Sequence, residues 1–330
     1  MPHCLVSVVV VAKNEARNIE ACLQSLLGQD FPSGGYEVIV VDGGSMDRTR
    51  EIVTRYPVVL ITDRFGTLGH QRNTGVQHAS GCYVAFTDAD CVADTSWLKN
   101  LVETIQKAGP EVAGVCGPNL VWPQDSDFAR VVGYTQETFL GSGGSVQAAN
   151  PGRFLSRANT LPNCNAVYRR DILVREGYDN RLGVGEDADL NFRLRRRGYR
   201  FLYAPRAVVW HRRAPDLGRF AAKMFAYGEA MGKLTRKHRA VVRWYAFLPP
   251  SVLLVGLLML GSYPFYRVSA VPALVLGGIA LYAAGVAFSV LQVFRKFPKP
   301  VCLWSAMLIP VQHLAYGLGF LSGVMRGTLR

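Results

Sequence analysis

Carboxylates run out two-thirds of the way along this chain. No Asp or Glu follows Glu229, while 11 Lys and Arg occur between Ala230 and Arg330. The formal charge of +13 therefore belongs to the tail, since residues 1–229 hold 26 basic and 24 acidic side chains. A basic excess set among long apolar runs points to a membrane and argues against nucleic acid as a partner. Cysteine is patternless: seven residues, no CxxC pair and no zinc-ligand spacing, so free, buried thiols of a reducing compartment are expected. No Gly-x-Gly-x-x-Gly follows the first apolar run and no Gly-Lys-Ser/Thr occurs, which speaks against a dinucleotide site and a P-loop. Met1–Val11 is too short for a signal peptide and lacks a cleavage pattern, so the first 229 residues are expected to stay in the cytosol.

What is present is first an alternation of strand and helix. Val6–Ala12 is a β-branched run, the mark of a strand buried on both faces. Ala16–Leu27 carries a helical stripe, Glu37–Val41 and Val58–Thr62 read as strands, Arg72–Ala79 as a helix, Tyr83–Thr87 as a fourth strand and Ser96–Lys107 as a helix. Ser45 or Asp47 is placed to cap the helix after the second strand. This order predicts an α/β fold with a doubly wound sheet of parallel strands, in which ligands bind beyond the strands' carboxyl ends. Asp42 and Asp88 both stand there. Further on, Gly141–Asn159 reads as a flexible loop, Asn165–Tyr168 and Ala207–Trp210 as strands, Glu186–Arg197 as a helix, and Leu217–His238 as a long amphipathic helix with a basic end.

Asp88-Ala89-Asp90 offers two carboxylates at the end of an apolar strand, a donor set suited to Mg²⁺ or Mn²⁺ and to the phosphate oxygens such ions carry. Asp42-Gly43-Gly44-Ser45 can present a carboxylate to a base or ribose while its glycines admit close backbone approach; a plain glycine turn is the structural alternative. Arg72 can face a diphosphate. Glu186 and Asp187 open a helix, where acidic residues are favoured by the helix dipole whatever their function; the functional reading is a general base for a sugar hydroxyl. His211 is a candidate third metal ligand or phosphate contact, or an ordinary strand-end histidine. Three tail runs hold no charged residue: Trp244–Tyr266, Val268–Phe294 and Pro300–Met325. Each is long enough to cross a hydrocarbon core of ~30 Å. The distribution of Lys and Arg puts residues 1–243 and the 295–299 loop in the cytoplasm. A channel or transporter is disfavoured because these runs contain no carboxylate.

Taken in order, Val8–Glu15, Asp42–Asp47, Arg72–Gly75, Asp88-Ala89-Asp90 and Gly185–Leu190 resemble the family 2 glycosyltransferases of GT-A fold, across roughly residues 5–230. The resemblance implies inverting transfer from a UDP- or GDP-sugar. It implies that Asn14, Glu15, Asp42 and Arg72 line the nucleotide site with Asp88, that Asp88 and Asp90 hold the metal, and that Asp187 is the base with Glu186 beside it. The Gly-rich stretch Phe139–Ser145 and the tail are similar to membrane-bound enzymes of the succinoglycan type. The Gln-x-x-Arg-Trp of processive synthases is absent, Val241-Val242-Arg243-Trp244 standing nearest to it. Cys91-Val92-Ala93-Asp94 replaces the Leu-Gln-His-Pro-Pro of dolichyl-phosphate sugar synthases. The expected organisation is a cytosolic catalytic domain over 1–215, a basic interfacial helix over 216–243, and about three transmembrane helices over 244–330 in the inner or plasma membrane. The expected acceptor is a membrane-associated glycan on polyprenyl diphosphate, with polyprenyl-phosphate monosaccharide synthesis as the alternative.

Overall fold

The computed structural model describes residues 5–33, 35–64, 66–143, 156–240, 247–261 and 270–326. These fall into two units, one of residues 5–120 and 156–212, the other of 121–143 and 213–326.

The first unit is built on an eight-stranded sheet. Its strands are β1 (Val6–Ala12), β2 (Tyr36–Asp42), β3 (Val59–Thr62), β4 (Tyr83–Asp88), β6 (Val112–Cys116), β8 (Ser156–Ala158), β9 (Asn165–Arg169) and β10 (Arg200–Tyr203), in the order β3-β2-β1-β4-β9-β6-β10-β8. A smaller sheet has the order β5-β11-β7, from Cys91–Ala93, Val209–His211 and Asn119–Val121. β1 pairs in parallel with both β2 and β4. Val6, Val8, Val9 and Val10 are fully buried, as a strand covered on both faces requires. On one face α1 (Ile19–Leu27) and α4 (Trp97–Gln106) deliver Ile19, Leu23, Trp97, Leu98 and Leu101 to the core. α3 (Leu68–His78) packs so closely that a Cβ on Gly75 would lie 2.4 Å from Val9 Cγ1.

The strands read from the first 120 residues pair in parallel, β3 with β2 and β1 with β2 and β4, and the antiparallel strands lie beyond them. β9 is antiparallel to both β4 and β6, and β8 is antiparallel to β10. β9 begins beside the end of β4, Asn165 opposite Thr87, and runs back from the rim. Burial pattern alone carries no strand direction. Buried Asn165 fixes that rim: its Oδ1 accepts from Trp97 Nε1 (2.8 Å), and its Nδ2 donates to the carbonyls of Pro118 (2.9 Å) and Ala207 (2.8 Å).

The helix expected from Ala16 starts at Ile19, because the preceding backbone is bound to the loop after β2. That loop leads to α2 (Thr49–Val53), where Asp47 Oδ1 accepts from the Thr49 N–H (3.0 Å) while Ser45 bonds elsewhere. Of the predicted Gly141–Asn159 loop, residues 144–155 lie outside the described residues; its ends are the short helix α6 (Phe139–Ser142) and β8. Val241–Trp244 also lies outside them.

The second unit is helical: α5 (Asp127–Gln136), α6, α9 (Leu217–His238), α10 (Leu248–Gly261), α11 (Ala270–Lys296), a 3-10 turn (Pro300–Trp304) and α12 (Ser305–Arg326). α7 (Arg170–Glu176) and α8 (Glu186–Arg196) belong to the first unit. Two stretches, Val275–Lys296 and Pro300–Arg326, are long and apolar enough to cross a membrane. The first of the three charge-free runs yields only the 14-residue α10 among the described residues, about 21 Å long and opened by Pro249-Pro250.

α9 and α12 meet through glycines. A Cβ on Gly319 would lie 2.1 Å from the carbonyl oxygen of Phe225, with backbone as the obstacle. Gly319→Leu should therefore lower the thermal unfolding midpoint in detergent, overpacking of this kind costing about 1–3 kcal/mol. An unchanged midpoint would show that the seam tolerates a side chain.

Candidate active site

The carboxyl ends of β1, β2 and β4 form one rim. After β1, Asn14 adopts a left-handed φ of +57°. Its N–H donates to Ser45 Oγ (2.9 Å), and its Oδ1 accepts from the Met46 N–H (2.8 Å). The Glu15 N–H donates to Thr49 Oγ1 (2.8 Å) and the Ala16 N–H to Asp47 Oδ2 (3.1 Å). The two nucleotide-site loops expected from sequence are thus laced into one wall. Asp42 is buried, and its carboxylate accepts from the N–H groups of Gly44 and Ser45 at 3.1 Å each.

Asp88 and Asp90 follow on β4 and the turn after it. Antiparallel pairing of β11 with β5 sets His211 opposite Cys91. His211 Nε2 then lies 3.3 Å from Asp90 Oδ2. Donor atoms of Asp90, Cys91 and His211 all lie within 4.8 Å of one another. Burial, then Asp90, pushes the Cys91 thiol well above its ordinary range, so it stays protonated and is a poor ligand. Burial raises the Glu15 carboxyl too, a hydrogen bond from Asn18 opposing it and Asp90 and Asp88 adding to it. Glu15, Asp88 and Asp90 therefore crowd negative charge at one place. Carboxylate oxygens beside one imidazole nitrogen suit Mg²⁺ or Mn²⁺, and a cation there relieves the repulsion.

Arg72 reaches Asp88, another residue of the expected nucleotide site. It is buried in α3, its guanidinium between two carboxylates: Nη2 is 3.3 Å from Asp88 Oδ1, and Nη1 is 2.7 Å from Glu186 Oε1, an ion pair without hydrogen-bond angles. Burial works against the Arg72 charge, but Glu186 and then Asp88 outweigh it and raise its pKa. Burial pushes the Glu186 carboxyl up to about 7, Arg72 opposing and Asp187 adding. Gly185, at φ +87°, turns the chain into α8. Asp187 is half-buried, its Oδ1 accepting from the Ala188 N–H at 2.6 Å. The pair expected from sequence is thus divided: Glu186 is a buried partner of Arg72, and Asp187 keeps a solvent-facing side.

Asp63 was not among the sequence candidates, although it directly follows β3 on the same rim. It accepts from the Gly66 N–H (3.0 Å) and Thr74 Oγ1 (3.2 Å), and lies 2.6 Å from His70 Nδ1. Its position at a strand's carboxyl end was the same signal that marked Asp42 and Asp88.

A mixed α/β sheet of this order with carboxylates on this rim defines a GT-A-type fold. The structure of a mannosyltransferase from Pyrobaculum calidifontis in complex with GDP-Man and Mn²⁺ aligns with a TM-score of 0.64, over 96% of this chain and 86% of that one, at 24% identity. Residues 7–174 match the family model described as Glycosyl transferase family 2. The chain belongs to glycosyltransferase family 2. It is 30% identical over 231 residues to glycosyltransferase AglE of Haloferax volcanii, covering 68% of this chain and 72% of that protein. It is 29% identical over 255 residues to succinoglycan biosynthesis protein ExoA of Rhizobium meliloti, covering 74% of each. A Methanococcus voltae dolichyl N-acetyl-alpha-D-glucosaminyl phosphate 3-beta-D-2,3-diacetamido-2,3-dideoxy-beta-D-glucuronosyltransferase matches 98% of both chains at 23% identity.

Proposed function

We propose that this enzyme transfers a sugar with inversion from a UDP- or GDP-sugar to a glycan carried on a polyprenyl diphosphate at the cytoplasmic face of a membrane. The observation that carries this reading is the position of Arg72. By pairing with Asp88 and Glu186 it draws the N-terminus of α8, with Asp187, to the carboxyl end of β4. The lipid-linked acceptor is supported by the Methanococcus voltae relative, named for transfer to a dolichyl-phosphate-linked sugar, and by the apolar tail.

Asp187 takes the proton of the acceptor hydroxyl as its oxygen bonds to the anomeric carbon and the bond to the diphosphate breaks on the opposite face; the nucleoside diphosphate leaves. Asp88, Asp90 and His211 would hold a divalent cation, which supplies positive charge against the diphosphate. Asn14, Glu15 and Asp42 line the nucleotide side. Arg72 orients Asp88 and Glu186.

The test is transfer by the full chain in detergent, followed by mass spectrometry of the lipid product. Complete chelation should abolish transfer, and added Mg²⁺ or Mn²⁺ should restore it. Transfer that survives chelation would remove the cation role from Asp90 and His211. A product with one sugar joined directly to polyprenyl monophosphate would replace this reading with that of a monosaccharide synthase.

A further inference from the structure

α9 and α12 form a pair that must share one environment. A Cβ on Gly228 would lie 2.1 Å from the Tyr316 carbonyl oxygen, and one on Gly232 2.3 Å from that of Phe320. From the other helix, a Cβ on Gly323 would lie 2.2 Å from the Glu229 carbonyl oxygen, one turn beyond the Gly319 contact with Phe225. Backbone thus meets backbone over several turns. The contacts ascend together in residue number, so the helices run parallel. At one end Arg236 Nη1 donates to the Val324 carbonyl (3.0 Å); towards the other, Phe220 and Met224 share a core with Leu308. If α12 crosses a bilayer, α9 crosses beside it.

α9 is unfit for that. Arg219, Lys223, Glu229, Lys233, Arg236 and Lys237 punctuate its 22 residues, and Lys223 and Glu229 flank its middle. Each charge held at mid-bilayer costs about 2.5–3.5 kcal/mol on insertion scales. Glu229 is paired with Lys233 (2.9 Å). Crossing would also carry Lys233, Arg236 and Lys237 away from the side on which the helix starts, against the preference of basic residues for the cytoplasm.

The exposed residues of α12 tell the rest. Leu314, Leu318, Leu321 and Met325 recur at helical spacing on its open side, and Leu303 and Trp304 precede them. A basic helix fused to an apolar stripe is the make-up of an element lying at a membrane surface. α11 differs, with exposed Leu276, Ile279, Leu281, Phe288 and Leu291 on several sides and no charge before Arg295. Its 27 residues measure about 40 Å, some 10 Å more than the hydrocarbon core. Near its C-terminal end the ion pairs Lys296–Glu137 and Lys299–Asp127 tie it to α5 and the residue that follows α5.

We propose that α9 and α12 lie together at the cytoplasmic surface of the membrane. The α12 stripe enters the boundary of headgroups and acyl chains, and the basic side chains of α9 meet anionic lipid headgroups. The crossing is left to α10 and α11, which hold no charged residue before Arg295. The chain then crosses twice, with its C-terminus on the side of the catalytic unit.

Reporters fused to the N- and C-termini of the full chain should report the same side. Against the parent's cysteine background, Lys237→Cys should react with an impermeant maleimide only in inside-out vesicles, and Arg267→Cys only in intact cells. Termini on opposite sides, or Lys237→Cys labelled in intact cells, would show that the pair crosses. Arg267→Cys labelled only in inside-out vesicles would remove the crossing itself. Either result overturns the proposal. None of these readouts depends on transfer activity, so they fail or hold apart from the proposed reaction.

Discussion

Asp187→Asn should leave donor binding intact and lower transfer by at least a hundredfold. The substitution keeps the shape of the side chain and an oxygen to accept from the Ala188 N–H, so the start of α8 is preserved. It removes only the capacity to take a proton, a contribution of about 10²–10⁴-fold in general-base catalysis. Binding is read from the rise in unfolding temperature with nucleotide sugar and Mn²⁺, and transfer from single-turnover assays. A loss under about tenfold, ~1.4 kcal/mol of barrier, would mean that Asp187 is not the base.

Arg72→Leu should cost both activity and stability. Arg72 is buried, touches carboxylates on two elements and stacks at 5.8 Å from the Phe86 ring centroid. Removing one partner of a buried pair costs about 3–5 kcal/mol, because the other charge is left unmatched. The cost should depend on pH. Burial holds the folded-state pKa of Glu186 at about 7, above its ordinary 4.5. The proton is thus favoured in the folded state, and the stability tied to it is full below about 4.5 and lost as pH rises through about 7. Without Arg72, which opposes the effect of burial, the pKa climbs further. The variant should lie nearer to wild type in thermal unfolding at pH 5 than at pH 8, and equal losses at both would show that Glu186 is not the source. Arg72→Lys should not restore wild-type behaviour, since one compact ammonium cannot face both carboxylates as a guanidinium fork does.

Much of this was legible in the residues. The β-branched runs located β1, β2 and β4, and the rule that ligands gather at strand carboxyl ends found Asp42, Asp88 and Asp90. What stayed hidden depended on contacts between distant segments. Nothing around Asn165 announces a strand running against its neighbours, because burial is the same in either direction. Nothing in the glycine-rich segment around Arg72 announces the carboxylate 114 positions later, Glu186, that pairs with it. Glu186 and Asp187 are adjacent acids, and only the helix geometry turns one inward and leaves the other open. The glycines of α9 and α12 were visible, but their partnership across some 90 residues was not.

The order of strands in the first sheet also bears on how the chain is made. β9 lies between β4 and β6, yet it is synthesised after both, and after the whole of α5 and α6. Until residue 169 has left the ribosome, β4 waits with one unpaired edge and β6, whose other neighbour β10 comes later still, with two. Those edges offer bare backbone to any passing strand. Distant pairings close slowly because the intervening loop must be ordered first. Production should therefore be most vulnerable to aggregation in the interval between β6 and β9, and slower elongation, which prolongs that interval, should lower the yield of folded enzyme.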